Sequence, residues 1–290
     1  MLRRELRIDA PLDLRRTLRP LFGSFRPDGW WFASRTDDGP ASLRITRTAD
    51  LLEGRAWGPG GENLLERLEA ISGLADRGRV ETDHPKISEL QRRNPGVRFG
   101  ATGQIFPHLL EAIVGQKVTR READKALHGL MRAFSDPAPG PEPSLRLPPD
   151  PERLASAPYW RFHELHLEKK RADTLRRAAE RAAKIEALAG LSSEECVEPL
   201  NAIPGVGAWT VAKTLQASHG DPDQVEVGDF HLKNIVVYHL TGKPRGTDDQ
   251  MMELLEEFRP QRGRVTRLLH FLGHAPKYGP RLAPRDITRI

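Results

Sequence analysis

Residues 200–213 read L-N-A-I-P-G-V-G-A-W-T-V-A-K, a proline-glycine corner set between two stretches of helical spacing. Pro204, Gly205 and Gly207 predict a tight turn, because glycine adopts backbone angles and close approaches that a side chain would block. Such a corner exposes backbone N–H groups at the start of the second helix, an arrangement suited to an anion such as a phosphate. Glycine corners also join packed helices for steric reasons alone. The turn by itself therefore defines a helix pair and leaves its use open.

Two further blocks narrow that use. Gln224–Asn234, Q-V-E-V-G-D-F-H-L-K-N, places Asp229 just after Gly228 and just before an apolar helical run. Phe106–Thr119, F-P-H-L-L-E-A-I-V-G-Q-K-V-T, carries a stripe of Phe106, Leu109, Leu110, Ile113 and Val114 that ends in Gly-Gln. In this order the blocks resemble the helix-hairpin-helix (HhH-GPD) DNA glycosylase superfamily. The similarity is greatest to the bacterial DNA-3-methyladenine glycosylase II branch, whose G-x-G-x-W-T hairpin helix and interval to V-x-D-x-x-x-K are both kept here. It runs from near Ile87 to near Gly273.

The resemblance implies an α+β fold, with a small N-terminal antiparallel-sheet α/β domain followed by a mostly α-helical glycosylase core. Three segments are expected: residues 1–75 as the mixed domain, 76–275 as the helical domain with a proline-rich loop at 135–151, and 276–290 as a basic tail. It further implies base-excision repair by a monomer acting on double-stranded DNA that holds a damaged base, an alkylated purine in the branch resembled. The hairpin N–H groups of Gly205, Val206, Gly207 and Ala208 would hold a DNA phosphate. Gln116 and Lys117 would meet DNA, with Lys117 at the position of the wedge that fills the hole left by a flipped nucleotide. Trp209, Lys213 and His270 fall at positions of the base pocket. The carbonyls of Asn201, Ile203 and Val206 would hold a monovalent cation, and no cofactor is implied for the chemistry.

The chemistry asks for little machinery. When an N-glycosidic bond breaks, the base leaves with the electron pair and the sugar becomes oxocarbenium-like, so negative charge beside it lowers the barrier. A carboxylate about 4 Å away at an effective dielectric near 20 supplies on the order of 4 kcal/mol, roughly a thousandfold in rate. Asp229 is the candidate for this role and for orienting the attacking water. It is equally placed to cap the helix that follows, and the two roles are compatible. Glycosylase-lyases of the superfamily carry a Schiff-base lysine two positions beyond the second glycine; here that residue is Trp209, which implies a monofunctional enzyme that leaves the strand intact. Lys213, one turn further on, faces the same side.

Several residues depart from the branch. Lys213 and His270 stand where aromatic residues are expected, and a lysine ammonium in the pocket would repel a cationic base. Lys117 replaces an apolar wedge, although its alkyl stem can fill part of that space. A glycosylase for deaminated or oxidised bases, or a non-catalytic DNA-binding protein with the same hairpin, remain as alternatives.

Composition agrees with a polyanionic partner. The 290-residue chain has 45 Lys and Arg against 40 Asp and Glu, a net charge of +5, so a basic patch is expected rather than a uniformly basic surface. Its one cysteine, Cys196, excludes an internal disulfide framework and a cysteine-ligated iron–sulfur cluster. His163 and His166 lie three apart without a third partner of metal-binding spacing. No apolar run approaches the roughly 20 residues of a membrane span, and Met1–Leu6 is too short and charged for a secretory signal, so a cytoplasmic, nucleoid-associated protein is expected.

Elsewhere Leu2–Ile8, Trp30–Phe32 and Ser42–Thr46 predict strands, with helical spacing at Leu14–Phe22 and Leu64–Ile71. Trp30 and Trp31 would pack within the sheet or offer a base-stacking surface. Seven prolines between Ser135 and Pro151 predict an ordered crossing or surface loop. Lys169–Leu188 predicts a helix whose Lys169, Lys170, Arg171, Arg176 and Arg177 form a solvated face or a DNA contact. Ser192 with Glu195, and Thr247 with Gln250, have capping-box spacing. The last helix is expected over Gly263–Leu272.

Overall fold

The computed structural model describes residues 1–277 and 287–289. Five strands, β1 (Leu2–Arg7), β2 (Ser24–Arg26), β3 (Gly29–Thr36), β4 (Gly39–Thr48) and β5 (Leu51–Trp57), form one antiparallel sheet in the order β1-β5-β4-β3-β2. The alternation of β3 and β4 puts Trp30 opposite Ile45 and Phe32 opposite Leu43 on one face. That face packs with Leu52 and Ala56 against α1 (Leu14–Leu18), α2 (Gly61–Glu66) and α3 (Leu68–Ile71), burying Leu18, Leu64, Leu65, Leu68 and Ile71. β2 and β5 go beyond the three expected strands. Two of the expected helices are also shorter: the first stops at Leu18 with Arg19 still at helical angles, because Pro20 has no N–H to continue the ladder, and the second is divided at Arg67.

The sheet's other face explains the paired tryptophans. Trp31 stacks on Trp57 with ring centroids 5.2 Å apart and donates its indole N–H to Asp28. The proline-rich segment crosses this face, pinned by a bridge between Pro137 and Arg146, and lays Leu145 and Leu147 over Trp31 and Ala33. Trp30 and Trp31 are each 1% exposed. Neither can serve as a base-stacking surface, and the expected surface loop is an ordered cover.

From α4 (Pro85–Arg93) the chain is helical: α5 (Phe106–Val114), α6 (Arg120–Phe134), α7 (Pro151–Ser156), α8 (Tyr159–Glu164), α9 (Lys169–Ala179), α10 (Ala182–Ala187), α11 (Ser193–Asn201), α12 (Ala208–Ser218), α13 (Leu232–Thr241), α14 (Asp248–Leu255) and α15 (Arg262–Leu269). These divide between two apolar cores. One gathers α5 to α12 around Leu109, Ile113, Phe162, Leu175 and Leu215. The other joins α4 to α13, α14 and α15 through Ile87, Leu232, Ile235, Met251 and Leu268. Both expected capping boxes form, and Thr119 with Glu122 makes a third. The helix expected over Lys169–Leu188 is two helices, and the last one passes at His270 into a 3-10 turn.

Arg171 corrects the expected basic face of α9. It is 3% exposed and donates to the Val114 carbonyl at 2.6 Å, where it ties α9 to the end of α5 and cannot reach DNA. No helix among the described residues is long and apolar enough to cross a membrane. Of the expected basic tail, residues 278–286 and 290 lie outside the described residues.

One half-buried carboxylate links the two ends of the fold. Asp76 accepts the Arg264 guanidinium at 2.7 and 2.8 Å, the Gly78 N–H at 2.9 Å and the Phe99 N–H at 2.7 Å. Removing one partner of such a pair strands the other charge in a poorly solvated site. Asp76→Ala is therefore expected to lower unfolding free energy by about 3 kcal/mol in a urea titration, well beyond the 0–1 kcal/mol of a surface pair.

Candidate active site

The corner between α11 and α12 is anchored by Ile203 and Val206, both buried. Its two glycines serve different ends. Gly205 has φ +96°, and a Cβ there would fall 2.1 Å from the Thr174 hydroxyl of α9, so both angle and space demand glycine. Gly207 has an extended backbone at φ −122°, ψ 179°, and nothing lies within 4 Å of its Cβ position. That glycine is not needed for folding; it leaves the backbone open to an approaching group.

Among the described residues the N–H groups of Gly205, Gly207 and Ala208 have no acceptor, whereas Val206 donates to the Ile203 carbonyl at 2.9 Å. Three of the four expected donors are thus free at the positive end of α12, and Val206 is not. The outward carbonyls are tied from neighbouring helices. Gln116, just beyond α5, donates to the Gly205 carbonyl at 2.9 Å and to the Thr210 hydroxyl at 2.8 Å, and Arg177 reaches the Pro204 carbonyl at 3.3 Å. Gln116 therefore braces the hairpin. Lys117 follows it, exposed and with φ +54°, a left-handed angle rare for a residue with a Cβ.

Asp229 is held from two sides. One carboxylate oxygen accepts the His231 and Leu232 N–H groups at 2.8 and 2.9 Å, capping α13, while the other accepts the Trp209 indole N–H at 3.3 Å. The loop behind it is fixed by Gly228 N–H donating to Asp248, whose second oxygen pairs with Lys233 at 3.0 Å. The cap and the aimed carboxylate are the same group.

Packing of α5 on α12 builds the wall beside it. The tip of the Trp209 ring lies 3.6 Å from the Cβ position of Gly115. One turn away on each helix, the Lys213 charge acts on both Glu111 and His108. Lys213 pairs with Glu226 at 3.3 Å. His108 is buried against the Thr102 hydroxyl at 2.9 Å, and burial together with the Lys213 charge depresses its pKa to about 3, so the imidazole is neutral. Phe22 meets the His108 ring edge-on, bringing the N-terminal domain to this wall.

The structure thus brings Asp229, Trp209 and Lys213 together and leaves His270 apart. His270 is exposed and turned back onto the Thr266 carbonyl at 2.8 Å. Its neighbour Phe271 lies under the Arg16 guanidinium at 4.4 Å. His108, Glu111 and Glu226 were not singled out from sequence. Two polar residues one turn apart on the otherwise apolar Phe106–Val114 were the available signal. No group of three or more potential metal-binding side chains occurs among the described residues.

No protein-family model matches the chain, and no curated protein is significantly similar to it. Solved structures do match. A 3-methyladenine DNA glycosylase from Archaeoglobus fulgidus superposes with a TM-score of 0.75 at 17% identity, covering 94% of this chain and 98% of that one. MBOgg1, solved with a low-affinity DNA ligand, gives 0.75 at 19% identity over 94% and 96%. An 8-oxoguanine glycosylase/lyase from Clostridium acetobutylicum, solved with double-stranded DNA, gives 0.72 at 15% over 94% and 97%. At these identities the likeness is one of fold: nearly the whole chain adopts the α+β fold of the helix-hairpin-helix DNA glycosylases.

The contrast between the two glycines is measurable. Gly205→Ala is expected to cost about 1–3 kcal/mol through strain and the clash with Thr174, and Gly207→Ala to stay within about 0.5 kcal/mol, both read from denaturant midpoints.

Proposed function

We propose that this chain is a monofunctional base-excision DNA glycosylase that hydrolyses the N-glycosidic bond of an alkylated purine in double-stranded DNA. The observation that carries the reading is the Asp229 carboxylate, locked between the Trp209 indole and the start of α13, next to a corner that presents three free N–H groups. The neighbours include both 3-methyladenine and 8-oxoguanine glycosylases at similar TM-scores; the alkylated class rests on the sequence resemblance and on the aromatic face of Trp209.

In this reading Gly205, Gly207 and Ala208 grip one backbone phosphate, and Lys117 occupies the gap left in the duplex by the extruded nucleotide. The base enters beside Trp209, whose ring offers a stacking face to a cationic purine. As the C1′–N bond breaks, its electron pair leaves with the base, and Asp229 stabilises the cationic sugar. Water then adds to C1′ and loses a proton to Asp229 or to solvent. Trp209 occupies the position of a lyase lysine, and the Lys213 amine is engaged by Glu226, so no Schiff base forms and the strand stays intact. The mechanism requires no cofactor. The Asn201 and Val206 carbonyls accept no hydrogen bond among the described residues and Ile203 accepts one, so the three oxygens fit a monovalent cation that would steady the corner.

Duplexes carrying 7-methylguanine, hypoxanthine or 8-oxoguanine, incubated with wild type and Asp229→Asn, test the proposal. Wild type is expected to release the alkylated base and to give strand breaks only after alkali. Asp229→Asn should slow single-turnover release by roughly a thousandfold, and borohydride should trap no protein–DNA adduct. Full activity in Asp229→Asn, or a trapped adduct on Lys213, would overturn it; release of 8-oxoguanine alone would move the substrate class to oxidised bases.

A further inference from the structure

The pocket wall contains a carboxyl group without a partner of its own. Glu111 lies on α5, one turn before Gly115 and across from Lys213, with His108 a further turn back. It makes no hydrogen bond and no ion pair among the described residues. The cations that face it are committed elsewhere: Lys213 to Glu226 at 3.3 Å, and Arg120 to Asp124 at 3.6 Å. His108 adds no charge, because its imidazole is neutral. Partial burial raises the Glu111 pKa, and the Lys213 and Arg120 charges oppose that shift.

A half-buried carboxyl with no bonded partner is available to a ligand placed against the α5–α12 wall. Resting on the glycosylase reading above, we propose that Glu111 is a specificity residue that recognises the positive charge of an N3- or N7-alkylated purine, accepting a hydrogen bond from its exocyclic amino group. Alkylation at a purine ring nitrogen leaves the base both cationic and bearing amino donors, which the carboxylate matches. Hypoxanthine is neutral and has no exocyclic amine. On this reading Lys213 does not repel the base: its ammonium is paired with Glu226 and partly offsets the unbonded Glu111 carboxyl.

The test compares 7-methylguanine and hypoxanthine release by wild type, Glu111→Gln and Glu111→Asp, with thermal melting and binding to an abasic-analogue duplex measured alongside. Loss of one charge about 10 Å or less from the reacting base at an effective dielectric near 20 should change relative rates roughly tenfold or more. The ratio of kcat/KM for 7-methylguanine to that for hypoxanthine should therefore fall by about that factor in Glu111→Gln, and Glu111→Asp should restore most of it. If wild type releases 7-methylguanine alone, the same ordering of the two variants on that base is the expected result. An unchanged ratio or an equal loss in the Gln and Asp variants would overturn the role of Glu111 and leave the glycosylase reading standing; a wild type that releases hypoxanthine alone would overturn the role of Glu111 and move the substrate class to deaminated bases. A wild type that releases no base would overturn both.

Discussion

The close antiparallel packing of α5 on α12 is the constraint on which the site depends. Gly115 marks the contact, with the tip of the Trp209 ring 3.6 Å from its Cβ position, an ordinary van der Waals distance. Gln116 then fixes the register, bonding once to the corner and once to the first turn of α12. With that register set, Trp209 reaches Asp229 and Lys213 reaches Glu226, which ties the loop between α12 and α13 to α12 at two points. A side-chain amide with two specific bonds is a more selective device here than apolar contact, which tolerates sliding.

Burial elsewhere supports this arrangement without taking part in chemistry. Arg171 shows how: a guanidinium on a helix that reads as basic in sequence is spent on the last carbonyls of α5, satisfying groups that a helix end leaves open. Glu186 does the same at the other end of α5, accepting the Ile105 and Phe106 N–H groups at 3.1 and 2.7 Å. The central helix is thus capped at both ends by charged side chains from α9 and α10. A charge count along the sequence cannot separate such internal uses from a surface that meets a polyanion.

What could be read from sequence divides along the same line. The hairpin, the capping boxes and the Asp229 cap are local: each follows from residues within a few positions, and the structure has them where the spacing puts them. The sheet was legible in three strands whose alternation is strong. β5 was missed because Glu53, Gly54 and Arg55 interrupt its apolar alternation, although pairing with β1 and β4 holds it. The fate of Trp31 depends on a proline-rich segment about a hundred residues away, and that of Val206 on one turn bond, so neither had a signature. Glu111 and His108 were visible only as polar residues on an apolar stripe, and Glu226 not at all, since its importance comes from Lys213 across a loop.

The helix cap that Asp229 forms, together with the reactive role proposed for it, bears on how this site can change over time. Reactive groups usually sit at some expense to the folded state, and replacing them tends to make a protein sturdier. Here the carboxylate also satisfies two N–H groups at the start of α13, so most substitutions would loosen the helix as they abolish any chemistry. Asparagine is the exception, since it can keep the cap while discarding the charge. A lineage that gave up catalysis and kept DNA binding would have one inexpensive exit, through that single residue, and would otherwise be held to aspartate by the needs of the fold alone.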